Sequence, residues 1–172
     1  HELLSYEAVD NGSSVTVKQS VKVSGKQAEN ISGYGDTKTS ITPKKQPLND
    51  TNTHFINNLE WTIYPDGTVV CQSVLLPRGN PLELLRLGYE LQLPANMGNV
   101  TYYGRGPEEN YADRKSGMPL GVYKTTARDS FFPYGRPQDC GNHEDTRWVA
   151  VTDDKGQGLL FGSVGAPFAF SA

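Results

Sequence analysis

Residues that could carry chemistry fall in two clusters. The first runs Tyr102-Tyr103-Gly104-Arg105-Gly106-Pro107-Glu108-Glu109-Asn110-Tyr111-Ala112-Asp113-Arg114. Glycines flank an arginine; acids, an amide, a tyrosine and a second arginine follow. A sugar site uses such parts, because planar groups donate to and accept from hydroxyls and an aromatic face stacks on C–H bonds. A structural reading fits the same residues: Arg105 and Arg114 could pair with Glu108, Glu109 or Asp113 to fix a long turn. The second cluster extends from Pro133 to Trp148 and contains Asp139-Cys140-Gly141-Asn142-His143-Glu144-Asp145. His143 beside two acids has the types needed for proton transfer, or it is a hydrogen-bonded residue of a polar turn. Glycoside cleavage needs two carboxylates at a set separation across the scissile bond. The acids here show no such signature. His54 and His143 without cysteines or paired acids at ligand spacing make a weak zinc signal, and no metal site is expected. Nucleophile elbows, phosphate-binding glycine loops and dinucleotide motifs are absent from the sequence.

The elements that must position these clusters are strands. Val15, Val17, Val21 and Val23 alternate with Thr16, Lys18 and Lys22. Leu59, Trp61 and Ile63 alternate with Glu60, Thr62 and Tyr64, and Leu85 to Leu93 repeats the pattern. Period two is what a half-buried antiparallel strand requires. Tyr64-Pro65-Asp66-Gly67-Thr68 combines a preset φ, a side chain that caps its own backbone and a residue tolerant of positive φ. It predicts a hairpin over Leu59 to Leu76. Asp153-Asp154-Lys155-Gly156 predicts a second, over Arg147 to Phe161. Helical spacing is weak, with one candidate turn at Pro107 to Asn110. The polar stretch Ile31 to Asn52 is predicted as a long loop, either disordered or a plain surface excursion, or else a reach toward a neighbouring domain or active-site rim.

The chain has 172 residues, enough for one domain with a sizeable core, and a single domain over 1–172 is expected. Net charge is −3 with 16 scattered basic residues, which argues against a nucleic-acid surface. No apolar run approaches a membrane span, so neither nucleic acid nor membrane is an expected partner. His1 to Leu4 show no signal-peptide pattern, and the compartment stays open between cytoplasm and periplasm. Cys71 and Cys140 fit no metal or disulfide framework and read as small core residues.

At the two clusters the sequence resembles the small-chain, C-terminal domain of family-two bacterial β-galactosidases. Tyr103-Gly104-Arg105-Gly106-Pro107-Glu108-Glu109-Asn110-Tyr111-Ala112-Asp113-Arg114 is similar to that domain's Gly-Arg-Gly-Pro-x-Glu-Asn-Tyr-x-Asp-Arg motif. Pro137, Gln138, Gly141, Asn142, Asp145, Arg147 and Trp148 match a second motif of the domain. Asp139 and His143 depart from it, where the family has Glu and Arg. The resemblance covers Leu59 to Ala172. It implies an all-β, antiparallel two-sheet supersandwich of the galactose-mutarotase type, incomplete here at its C-terminus.

The resemblance also implies a division of labour. The catalytic glutamates belong to a separate barrel of the same polypeptide, so no catalytic residue and no cofactor is expected in this chain, and any Mg or Na ion belongs to that barrel. The expected partners are the barrel and a galactoside substrate, with a homo-oligomer open. Arg105, Glu109, Asn110, Tyr111, Arg114, His143 and Glu144 are the candidates for contacting sugar or shaping its pocket. Two other functions fit the residue types: a mutarotase-type enzyme using His54 or His143 with Glu108, Glu109 or Glu144, and a non-catalytic carbohydrate-binding module presenting Tyr102, Tyr103, Tyr111 and Trp148.

Overall fold

The computed structural model describes residues 1–24, 53–79, 87–136 and 138–172. The expected loop from Ile31 to Asn52 lies outside the described residues. Among those described, all regular structure is strand, paired antiparallel throughout. The all-β expectation holds. The chain divides into two compact units, His1–Gly88 and Tyr89–Ala172.

The first unit is a four-stranded meander in sequence order: β1 (Glu2–Asp10), β2 (Val15–Val23), β3 (His54–Ile63) and β4 (Val69–Arg78). The valines of β2 lie on one face, with Val15, Val17 and Val23 in register with Ile63, Trp61 and Phe55 of β3 and Val21 with Asn57. The opposite face is polar: Lys18 lies 3.6 Å from Glu60, and Ser20 donates to Asn58 at 2.8 Å. The predicted hairpin turn forms. Tyr64 N donates to Thr68 O, Thr68 N donates to the Asp66 carboxylate at 2.8 Å, and Gly67 takes a φ of 87°. That bond is also the leading cause holding the Asp66 carboxyl below its ordinary range.

The second unit contains β5 (Asn99–Arg105), β6 (Leu120–Thr126), β7 (Asn142–Thr146), β8 (Trp148–Thr152), β9 (Gly158–Gly162) and β10 (Phe168–Ser171). Four strands form a sheet in the order β6-β5-β8-β9, and β7 pairs with β10. The predicted hairpin at 153–157 joins β8 to β9, with Asp153 capping the amides of Lys155 and Gln157. Val100 and Tyr102 of β5 and Val149 and Val151 of β8 form the buried core, covered by Met97, Tyr123, Phe161, Phe168 and Phe170. Period two explains the choice: alternate residues of two paired strands must share one face.

Three expectations need correction. Pro107 to Asn110 is not a helical turn. The Arg105 carbonyl, which a helix would offer to the Glu109 amide, instead accepts from the side chains of Asn110 and His143. The alternating run from Leu85 to Leu93 is not a strand over its described residues: from Leu87 onward it has no ladder, and Leu87, Tyr89 and Leu91 are exposed. Alternation fixes which side chains share a face, but a strand also needs a partner for its amides. Neither cysteine is a core residue, since Cys71 is exposed and Cys140 half-buried.

Gly104 is closely packed beside the site. A Cβ there would sit 2.5 Å from the Thr146 hydroxyl oxygen and 3.1 Å from the Thr146 Cα. Gly104→Ala should therefore cost roughly 1–3 kcal/mol by overpacking. The check is a lower urea midpoint at unchanged slope.

Candidate functional site

Two connections carry the site. One spans 106–119 between β5 and β6; the other spans 127–141 between β6 and β7. The strands they join bring residues some 30 to 40 positions apart into hydrogen-bonding range. Asn110 is the link. It is fully buried. Its amide N–H donates to Asn142 O at 2.7 Å, and its carbonyl accepts from Asn142 Nδ2 at 2.7 Å. Its side chain donates to the carbonyls of Arg105 and Glu108, both at 3.0 Å, and accepts from the Glu144 amide at 2.9 Å. A buried amide is tolerated only when its hydrogen-bonding capacity is used, and this one is used on three separate residues while the Asn110 backbone takes up Asn142.

An ionic cluster lies beside it. The Arg105 guanidinium pairs with Asp145 and donates to Met118 O at 2.8 Å, which ties the 106–119 connection down. Lys115 reaches Asp145 at 3.0 Å and Glu144 at 3.6 Å. Asp145 adopts a φ of 51°, and Arg147 donates to its carbonyl. The hydrogen bonds from Arg105 and Lys115 hold the Asp145 carboxyl below its ordinary range.

A second ionic group forms from Glu109, Arg114 and Tyr134. Glu109 accepts from Arg114 at 2.9 Å and from the Gly141 amide at 2.7 Å. Arg114 also donates to the Tyr134 hydroxyl at 2.8 Å and stacks over the Tyr111 ring at 4.5 Å. The Tyr111 hydroxyl is buried without a well-formed hydrogen bond among the described residues. Burial first, and the Glu109 charge second, raise its pKa.

His143 is 3% exposed. Its Nδ1 lies 3.2 Å from the Arg105 carbonyl, which can only accept, so Nδ1 carries the proton. The ring packs 4.4 Å from Tyr102 and 5.2 Å from Phe170. Burial lowers its pKa against the raising effect of that hydrogen bond.

All seven candidate residues thus sit in one constellation, in different roles. Asn110 and His143 are interior, with no surface for a ligand. Arg105, Glu109 and Glu144 are partly covered and engaged, and Arg114 is the most open. Of the turn-fixing pairs read from the sequence, Arg114–Glu109 forms. Arg105 instead finds Asp145, 40 residues away. Asp145, Asn142 and Lys115 were not among the candidates. The first two belong to the second motif, which was the available signal; Lys115 carried none. Every carboxylate oxygen of Glu109, Glu144 and Asp145 has a donor or cation beside it. A general acid requires a carboxyl whose environment favours its protonated form. Asp145 has the opposite environment.

The family described as beta galactosidase small chain matches residues 5–172. A beta-galactosidase of Priestia megaterium is 40% identical over 100 residues, covering 58% of this chain and 10% of its own length. Beta-galactosidase BgaC of Bifidobacterium adolescentis is 50% identical over 86 residues, covering 49% of this chain and 8% of its own length. A beta-galactosidase of Staphylococcus xylosus is 28% identical over 137 residues, 71% of this chain and 14% of its own. The chain spans about a tenth of the length of the curated relatives it matches.

Three outcomes are expected. Asn110→Ala should destabilise by about 3 kcal/mol, because two carbonyls and an amide lose their partner in a dry interior; denaturant unfolding measures it. Asp145→Asn should flatten the acid limb of the stability curve. A carboxyl with a lowered folded pKa stabilises above its ordinary value of 3.8 and loses that contribution as pH falls through the folded value. The His143 ring should titrate below 6.5 by NMR. By the same sign rule it contributes stability above 6.5 that declines as pH drops beneath it.

Proposed function

The chain belongs to the beta galactosidase small chain family, and on that premise we propose that it is an accessory domain of a larger retaining β-galactosidase. The bond-breaking carboxylates then lie on a barrel domain of the same polypeptide, and terminal β-D-galactosides are the substrate. The observation that carries the reading is the engagement of the Glu109, Glu144 and Asp145 carboxylates in the motif cluster. Glu109, Glu144 and Asp145 are held by Arg114, Lys115, Arg105 and backbone amides. Such a network suits a rigid support for a pocket wall and offers no acid–base pair for glycoside cleavage. The contribution to catalysis is positional: holding the sugar in orientation and excluding water.

Within this reading the exposed edge of the cluster, Arg114 with Tyr111 beneath it, faces the sugar pocket or the barrel. Asn110 and His143 act through the backbone they fix. The mutarotase-type alternative is weakened at His143, whose burial keeps it from meeting a substrate. No observation favours the binding-module reading over the accessory one.

The test compares the full-length polypeptide with the 172-residue chain on an aryl β-galactoside. The full-length enzyme should turn over and the chain alone should not. Arg114→Ala in the full-length enzyme should raise KM or lower kcat by about tenfold, the effect of about 1.4 kcal/mol of lost positioning. Turnover of the galactoside by the chain alone at an enzymatic rate would overturn the proposal.

A further inference from the structure

The connection from β6 to β7 carries three aromatic residues within four positions, Phe131, Phe132 and Tyr134. Both phenylalanines are exposed. Among the described residues of 131–139, Tyr134 is the one that is half-buried. Apolar burial by itself does not explain this choice, because a phenylalanine ring gains more from leaving water than a tyrosine ring with its polar tip. What Tyr134 has and its neighbours lack is a hydroxyl. That hydroxyl accepts from Arg114 Nη2 at 2.8 Å, twenty residues back along the chain.

The same nitrogen also donates to Glu109 Oε1 at 2.9 Å. Both hydrogens of Nη2 are therefore used. Held at one point, a guanidinium can turn about the remaining bond; held at two, its plane is set. The Tyr111 ring lies 4.5 Å from the guanidinium carbon and the Tyr134 ring 5.8 Å from it, which completes the seat. Among the described residues no hydrogen bond reaches Nε or Nη1, and the Arg114 side chain is 47% exposed. The remaining donors are thus free while the group that carries them is fixed. An arginine side chain has much rotamer freedom to lose. When that loss is taken in folding, it is not charged to binding or to the reaction.

The two holds differ in what else they do. Glu109 also accepts from the Gly141 amide at 2.7 Å and so belongs to the frame of the unit. The Tyr134 hydroxyl has Arg114 as its bonded partner. We propose that Tyr134 is a positioning residue for the galactosidase reaction, acting through Arg114. Its hydroxyl sets the orientation in which Arg114 presents Nε and Nη1, and it makes no contact of its own with substrate. The proposal rests on the accessory-domain reading, in which Arg114 contributes to turnover, and it adds the residue that makes Arg114 effective.

A double-mutant cycle in the full-length enzyme on an aryl β-galactoside tests it. Tyr134→Phe keeps the ring and removes only the hydroxyl. It should lower kcat/KM by about fivefold at an unchanged circular dichroism spectrum. In an Arg114→Ala background the same change should have no effect, so the double variant should match Arg114→Ala. A residue that merely supports the fold would lower activity in both backgrounds. Unchanged kinetics in Tyr134→Phe, or a double variant that falls by the product of the two single losses, would overturn the proposal. Loss of the native spectrum in Tyr134→Phe would do so as well, because the hydroxyl would then be a folding element. These three outcomes leave the accessory-domain reading standing as long as Arg114→Ala is impaired. Parent-like kinetics in Arg114→Ala would overturn the role of Arg114 and that of Tyr134 together.

Discussion

A buried amide whose hydrogen-bonding positions are filled is the constraint on which the second unit depends. Asn110 sits between the β5–β6 connection and the start of β7, and it bonds backbone groups on both. Loops normally lie on the surface because their backbone polar groups need water. Here a loop residue is fully buried, which is possible only because protein groups replace that water one for one. Asn142 returns the favour from the other side, donating its own side chain to the Asn110 carbonyl. The pair behaves as a short stretch of ladder made partly of side chains. In a dry interior such a network is strong when complete and costly when broken.

The ionic clusters extend this link outward. Arg105, at the end of β5, holds Asp145 and the Met118 carbonyl together. Glu109 and Arg114 fasten the Gly141 amide and the Tyr134 hydroxyl. Single exposed ion pairs contribute little. These are partly covered, share partners and include backbone acceptors, so their value lies in fixing geometry. The outcome is a rigid surface at the mouth of two connections, presenting Arg114 stacked on Tyr111. A pocket wall in a larger enzyme needs such rigidity, because misplacement of about 1 Å can cost two orders of magnitude in rate.

The two units use the same period in different ways. In the first, alternation puts the valines of β2 on one face and Lys18, Ser20, Asn58 and Glu60 on the other. In the second, it puts Val100, Tyr102, Val149 and Val151 into one buried cluster, with Phe168 and Phe170 of β10 packed against it. Gly104 has no side chain on that buried side, and Thr146 fills the space. The glycine in the motif is therefore a packing requirement.

Several features were determined by the sequence alone. Period-two patterning gave the strands β2 and β3. Asp66-Gly67 and Asp153 to Gly156 gave the two hairpins, because turn chemistry is local: an Asp side chain bonds amides two to four residues on and a glycine supplies positive φ. The motif residues and their resemblance gave the family. Partners were not legible. Whether Arg105 would meet Glu108 or Asp145, whether His143 would be a surface base or a core ring, and whether Leu87 to Leu91 would find a strand to pair with all depend on register between segments distant in sequence. Alternation says which way a side chain faces, but only the closed sheet says what it faces. The tertiary structure decided that by burying Asn110, since one fully bonded amide brought the two motifs together and turned their charges toward each other.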